Sequence, residues 1–156
     1  MTKTLIRHAT DEDFPVLLHI DRASFPPDVA YDSMELAYFM DRPGAETIVL
    51  EHEGLIVAFL IMDIHRGRRA ATLVTLDVRT EYRRLGYGSR LLGQSEEILA
   101  GYGMKAYELQ VDVHNAGAIA FYRRHGFEAA GILPSYYGNG HDAHQMVKAL
   151  PTSGGT

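Results

Sequence analysis

Thr72 to Leu92 reads TLVTLDVRTEYRRLGYGSRLL, and its three parts decide how the rest of the chain is arranged. An apolar strand pattern up to Val78 runs into Arg83-Arg84-Leu85-Gly86-Tyr87-Gly88, and a helical pattern follows. Gly86 and Gly88 open backbone angles closed to other residues and leave no Cβ in the way, so successive N–H groups can face outward at the positive end of the helix. Such a turn can cradle phosphate oxygens, and Arg83 and Arg84 add two guanidinium groups at the same rim. The same glycines would also serve an ordinary packed turn. A third glycine for the dinucleotide fingerprint and the Gly-Lys-Ser/Thr of a P-loop are both missing.

Working outward, Tyr107 to Val113 is a second strand, with Leu109, Val111 and Val113 on one face and Glu108, Gln110 and Asp112 on the other. Asn115 caps the helix that follows, which ends at Gly126. Upstream, Glu46 to His52 and Leu55 to His65 form a hairpin about Glu53-Gly54. The run LIVAFLIMDI is apolar on both faces, which predicts a central strand covered by helices on each side. Thr4 to His8 is a short strand. Thr10 to Asp13 starts a helix with Phe14, Leu17 and Leu18 on its apolar face, ended by Pro26-Pro27, and Asp32 or Ser33 caps a short helix through Met40. Phe127 to Leu133 and His144 to Leu150 read as a final antiparallel pair, and the tail from residue 151 to 156 as disordered. Residues 1 to 150 are therefore expected to form one domain with a mixed, mostly antiparallel α/β sheet.

The run Arg83-x-x-Gly86-x-Gly88 after a strand resembles the acetyl-CoA motif of the GNAT superfamily of N-acyltransferases. LQVDVHNAGAIAFYRRHGF, Leu109 to Phe127, is similar to that family's next strand and helix, with its Asn, its Tyr and its closing Gly-Phe. Tyr136-Tyr137 with Asp142-Ala143-His144 resembles the branch that acetylates protein N-termini, including the ribosomal-protein alanine acetyltransferases.

The resemblance implies the GNAT fold, with the strand ending near Val78 splayed from its parallel neighbour so that the pantetheine arm of acetyl-CoA enters the gap. It implies cofactor contacts from Leu76, Val78, Arg83, Arg84, Leu85, Gly86, Tyr87, Gly88, Ser89 and Asn115, with the Val78 N–H polarising the acetyl carbonyl. Tyr122 would protonate the leaving thiolate. Phe25, Pro26 and Tyr31 would line one wall of the acceptor site, Tyr136 and Tyr137 the other, and Gln110 its floor. Phe25 and Tyr31 would equally serve as cover for the core.

The sequence departs from the family at the base. Relatives carry an ionisable or phenolic residue where Thr72 and Gln110 stand here, and neither of these accepts a proton near neutral pH. Neutralising an α-amine of pKa about 8 at pH 7 costs roughly 1.4 kcal/mol, against roughly 4.6 kcal/mol for a lysine of pKa about 10.4. A protein or peptide N-terminus, or another low-pKa amine, is therefore the expected acceptor. Small-molecule amines such as a polyamine, amino acid or antibiotic, and a CoA-binding module without turnover, are the alternatives. Glu108, Asp112, His141 and His144 could approach the same face.

Composition narrows the field. With no cysteine there is no disulfide, thiolate metal site or cysteinyl acyl-enzyme, so direct transfer is expected. The net charge of −5 argues against nucleic acid and anionic membranes as partners. No apolar run spans a bilayer and the N-terminus lacks a signal-peptide core, so a cytoplasmic protein is the default. His141-x-x-His144 lacks a third ligand, so no metal is expected.

Overall fold

A computed structural model describes residues 2–27, 29–136 and 140–151. Seven strands, β1 (Thr4–His8), β2 (Ala45–His52), β3 (Leu55–His65), β4 (Ala70–Val78), β5 (Ala106–Asp112), β6 (Glu128–Leu133) and β7 (Ala143–Ala149), form one sheet in the order β1-β2-β3-β4-β5-β7-β6. Only the β4/β5 pair is parallel. Four helices flank it: α1 (Phe14–Ser24), α2 (Ser33–Met40), α3 (Tyr87–Gly101) and α4 (Ala116–Arg124). This is the mixed, mostly antiparallel sheet with flanking helices expected from the sequence. No helix of the described residues is long and apolar enough to cross a membrane.

The doubly apolar β3 is the spine. Ile56 through Ile64 are all buried. Val57, Ala58, Leu60, Met62 and Ile64 join the core under α3 and α4, whereas Ile56, Phe59 and Ile61 join Leu17, Ile20 and Leu36 under α1 and α2. Each large apolar side chain buried here is worth about 1.5–3 kcal/mol, so the strand anchors both layers.

Two boundaries differ from expectation. Helix α1 is preceded by a separate 3-10 turn over Asp11–Asp13, and it ends at Ser24 rather than at the prolines. Phe25 is already extended (φ −130°, ψ 156°), because the ring of Pro26 disfavours helical angles at the residue before it. Helix α2 begins as expected. The Asp32 carboxylate accepts the Glu35 N–H at 2.8 Å while Glu35 accepts the Asp32 N–H at 3.1 Å.

Arg7 ties the sheet edge to that first turn. Its guanidinium donates to both oxygens of Asp13, at 2.8 and 3.1 Å, and to Glu51 at 2.8 Å. Hydrogen bonds from Arg7 hold the nearly buried Asp13 carboxyl down at about 2, against an ordinary value of 3.8. Because the folded pKa lies below the unfolded one, this contribution is complete above about pH 4 and is lost as pH falls towards 2. Acid titration of unfolding free energy should therefore show a loss of roughly 2 kcal/mol across that window, and Asp13→Asn should remove most of that slope. An unchanged acid slope in Asp13→Asn would refute the assignment.

Candidate active site

Strands β4 and β5 pair only over Ala70–Leu73 with Ala106–Leu109 and then part. A bulge in β4 opposite Ile61/Met62 precedes the separation. Arg79 N–H reaches the Val57 carbonyl at 2.8 Å, so Ala58 and Val78 face each other as a non-hydrogen-bonded pair. The backbone groups of Val78 consequently point away from β3 into the splay. Its carbonyl accepts Arg83 Nε at 3.2 Å. Leu76, two residues earlier on β4, shares this orientation.

Below the splay the chain makes one 3-10 turn, Thr80–Tyr82, and then enters α3 through two left-handed residues, Arg84 (φ +66°) and the N-cap Gly86 (φ +82°). A side chain at Gly86 would be strained in that conformation. The first N–H groups of a fifteen-residue helix thus open at the end of β4, where no other helical residue can bond them. Arg83, Arg84 and the 56 % exposed Leu85 rim the opening. Tyr87 behaves differently from its neighbours: its side chain is buried, with its hydroxyl 2.6 Å from His52 Nδ1, so only its backbone faces the loop.

Helix α4 closes on this opening. A Cβ built on Gly88 would lie 3.5 Å from Phe121 Cζ and 3.7 Å from Val78 Cγ2, ordinary contact distances, so α3, α4 and β4 meet at this position with room for no more than a methyl group. His125 Nδ1 donates to the Phe121 carbonyl at 2.8 Å, which leaves Nε2 to accept the Ser89 hydroxyl at 2.9 Å. Asn115 caps α4 by accepting the Ala118 N–H at 3.1 Å. Tyr122, the residue after Phe121, is buried with its ring 5.6 Å from Phe127.

On the opposite face the acceptor candidates fall into two groups. Phe25 and Pro26 open the loop after α1, where the Pro26 carbonyl accepts from Val29 and Ala30, and the Tyr31 ring packs 5.0 Å from Phe39. Tyr31 also borders the α1/α2 core, in line with its reading as cover for that core. Tyr136 approaches Gln110, its hydroxyl 3.3 Å from Gln110 Oε1. The Gln110 amide donates on to Gln145 (2.7 Å), Gln145 to Glu108 (3.2 Å), and Arg68 closes the row on Glu108 at 2.9 Å. Gln110 is thus held in a polar ladder across β5 and β7. Tyr137 lies outside the described residues.

Two features had no clear sequence signal. Thr72 Oγ1 stands 3.1 Å from His65 Nε2, so an imidazole adjoins Thr72. Asp77 and Asp21 form a buried carboxyl pair between β4 and α1. Asp77 accepts Thr75 Oγ1 at 2.6 Å and Asp21 accepts the Tyr31 N–H at 2.8 Å, while Asp77 Oδ2 and Asp21 Oδ1 are buried without another partner. Burial, and then Asp21 beside it, push the Asp77 carboxyl well above its ordinary pKa. The pair pins the loop bearing Tyr31 to the end of β4.

Residues 6–127 match the model of the acetyltransferase (GNAT) family. An N-alpha-acetyltransferase from Sulfurisphaera tokodaii is 30 % identical, the alignment covering 93 % of this chain and 92 % of that protein. The L-amino acid N-acetyltransferase of Escherichia coli is 26 % identical over 95 % of this chain and 99 % of its own. Among solved structures, the ribosomal-protein-S18-alanine N-acetyltransferase from Escherichia coli superposes with a TM-score of 0.86 at 26 % identity, covering 99 % of this chain and 98 % of that one.

Proposed function

The chain belongs to the GNAT family of acetyltransferases, and from that premise we propose that residues 1–150 form one domain that uses acetyl-CoA to acetylate the N-terminal α-amine of a protein or peptide. The observation that carries this reading is the parting of β4 and β5 beside a glycine-started helix. A slot between two strands admits a thin arm, and the helix N-terminus with Arg83 and Arg84 suits the pyrophosphate at its outer end. In the slot the Val78 N–H would polarise the thioester carbonyl, with Leu76 and Asn115 along the arm and Leu85, Gly86, Tyr87, Gly88 and Ser89 around the phosphates.

The amine would enter from the face bearing Phe25, Pro26, Tyr31 and Tyr136, with Tyr137 continuing that wall and Gln110 beneath. The neutral amine attacks the thioester carbon directly to form the C–N bond, the C–S bond breaks, Tyr122 donates its phenolic proton to the departing thiolate, and the proton shed by the amine nitrogen passes to solvent water, from which the tyrosine is reprotonated. Gln110 accepts no proton, and its amide is committed to Gln145 and Tyr136, so it orients rather than deprotonates. A site with so little basicity suits an amine that is already partly neutral, which keeps the α-amine ahead of lysine.

A second reading, transfer to the α-amine of a free amino acid or to another small amine, is favoured by the likeness to the Escherichia coli L-amino acid enzyme. One assay separates the two. Acetyl-CoA is supplied with peptides bearing free N-termini, lysine peptides with blocked N-termini, free amino acids and polyamines; CoA release and the mass of each product are then read. Acetylation of free peptide N-termini is expected. Preference for lysine side chains or polyamines would overturn the α-amine argument, and acetyl-CoA binding without CoA release would leave a non-catalytic module.

A further inference from the structure

Beyond the acetyl-transfer site, three side chains able to hold a cation converge at the far end of β5. Asp112 is the last residue of that strand, His114 stands beside the Asn115 cap of α4, and His141 lies two residues before β7. Asp112 Oδ1 accepts from His114 Nδ1 at 3.2 Å and Oδ2 accepts from His141 Nδ1 at 2.6 Å. One ligand-capable atom from each residue lies within 4.8 Å of the other two, and the imidazole rings are 5.8 Å apart. The sequence pairing of His141 with His144 misses this group, because His144 lies across from Val111 in the β5/β7 ladder.

We propose that Asp112, His114 and His141 form a binding site for a divalent d-block cation of the zinc type. Two imidazoles and one carboxylate are the donor set such ions take, and three protein ligands leave a fourth position to solvent. With bonds of about 2.0–2.2 Å, a tetrahedral ion needs donor atoms roughly 3.3–3.6 Å apart. The His114 edge at 3.2 Å is close to that scale, the His141 edge at 2.6 Å is a hydrogen bond that has to lengthen as the ion replaces its proton, and the third closes by rotation of His114, whose side chain is 77 % exposed. Burial alone would raise the Asp112 pKa, but hydrogen bonds from the His114 backbone N–H, the His141 ring and the His114 ring outweigh it and lower the value.

Binding shifts the His141 ring proton from Nδ1 to Nε2 and frees the Nδ1 lone pair for the ion, while His114 keeps its proton on Nδ1 and turns to offer the Nε2 lone pair. The ion would clamp the segment leading into β7 to the start of α4. Tyr136, which touches Gln110, lies five residues before His141, so the clamp would stiffen the acceptor wall.

The test uses the full chain, stripped with a chelator and titrated with Zn²⁺ by calorimetry and with Co²⁺ by visible absorption. One equivalent per chain is expected, with histidine-type Co²⁺ bands and a Zn²⁺-dependent rise in Tm. His114→Ala and His141→Ala should each weaken binding by more than about 100-fold and abolish the Tm rise, since even outer partners of a metal site are worth about 10–100-fold. His8→Ala, which removes an exposed histidine paired with Glu46 elsewhere, should change nothing. His114 is exposed enough that its variant folds, which keeps the test decisive whatever happens at His141. No binding by the wild-type chain, or equal affinity in either histidine variant, would overturn the site.

Discussion

Tyr122→Phe should lower kcat by about 10²–10⁴-fold while leaving the Kd for acetyl-CoA within about twofold. The ring keeps its place against Phe121 and Phe127, whose centroids lie 5.3 and 5.6 Å away, so packing is preserved and only the hydroxyl is lost. A proton donor acts on charge that develops as the C–S bond breaks, which is why the loss belongs in turnover and not in binding. Removing one buried hydroxyl changes stability by about 1 kcal/mol, and a thermal melt of the variant separates that from the roughly 3–5 kcal/mol expected in the barrier. Unchanged turnover would remove Tyr122 from its role.

Replacing Gly88 with valine should weaken acetyl-CoA binding by at least about tenfold. A bare Cβ at this position meets Phe121 and Val78 at ordinary contact distance, 3.5 and 3.7 Å, and the two further methyl groups have to displace one of them. Overpacking of this kind costs about 1–3 kcal/mol, and here the strain falls on the junction that opens the first turn of α3 towards the phosphates. Gly88→Ala fits the same contacts and should bind more tightly than Gly88→Val. Calorimetric titration with CoA reads both variants, and full affinity in Gly88→Val would count against the phosphate cradle.

The architecture was legible because its signals are local. The 20-residue run from Leu73 to Leu92 carries strand alternation, glycine punctuation and helix periodicity in order, and the doubly apolar β3 announces helices on both faces. The Asp32 cap could be read because its partner Glu35 is three residues away. Harder to see were pairings between distant positions. Asp21 and Asp77 are unremarkable in sequence and become a buried pair only when α1 crosses β4. His65 meets Thr72 across a tight β3/β4 connection, and Asp112 gathers His114 and His141 from two loops. Tyr87 shows the opposite failure: a motif position says that the backbone matters, but it does not say that the ring turns inward to His52.

The parting of β4 from β5 also divides the molecule mechanically. On one side β1 to β4 are laced together, on the other β5, β7 and β6, and the seam between the blades is four residue pairs long. Helix α3 is the splint across that fracture. It lies on β2, β3 and β4, yet Ser95 in its middle takes the hydroxyl of Tyr107 on β5 at 2.9 Å, and Glu96 holds Lys148 on β7 at 2.9 Å. The fastenings sit well along the helix, away from Gly86. The blades can therefore flex at the open end, where α3 starts, while staying riveted at the other, and native-state hydrogen exchange at the last amides of the seam, around Leu73 and Leu109, would register that breathing long before the sheet as a whole comes apart.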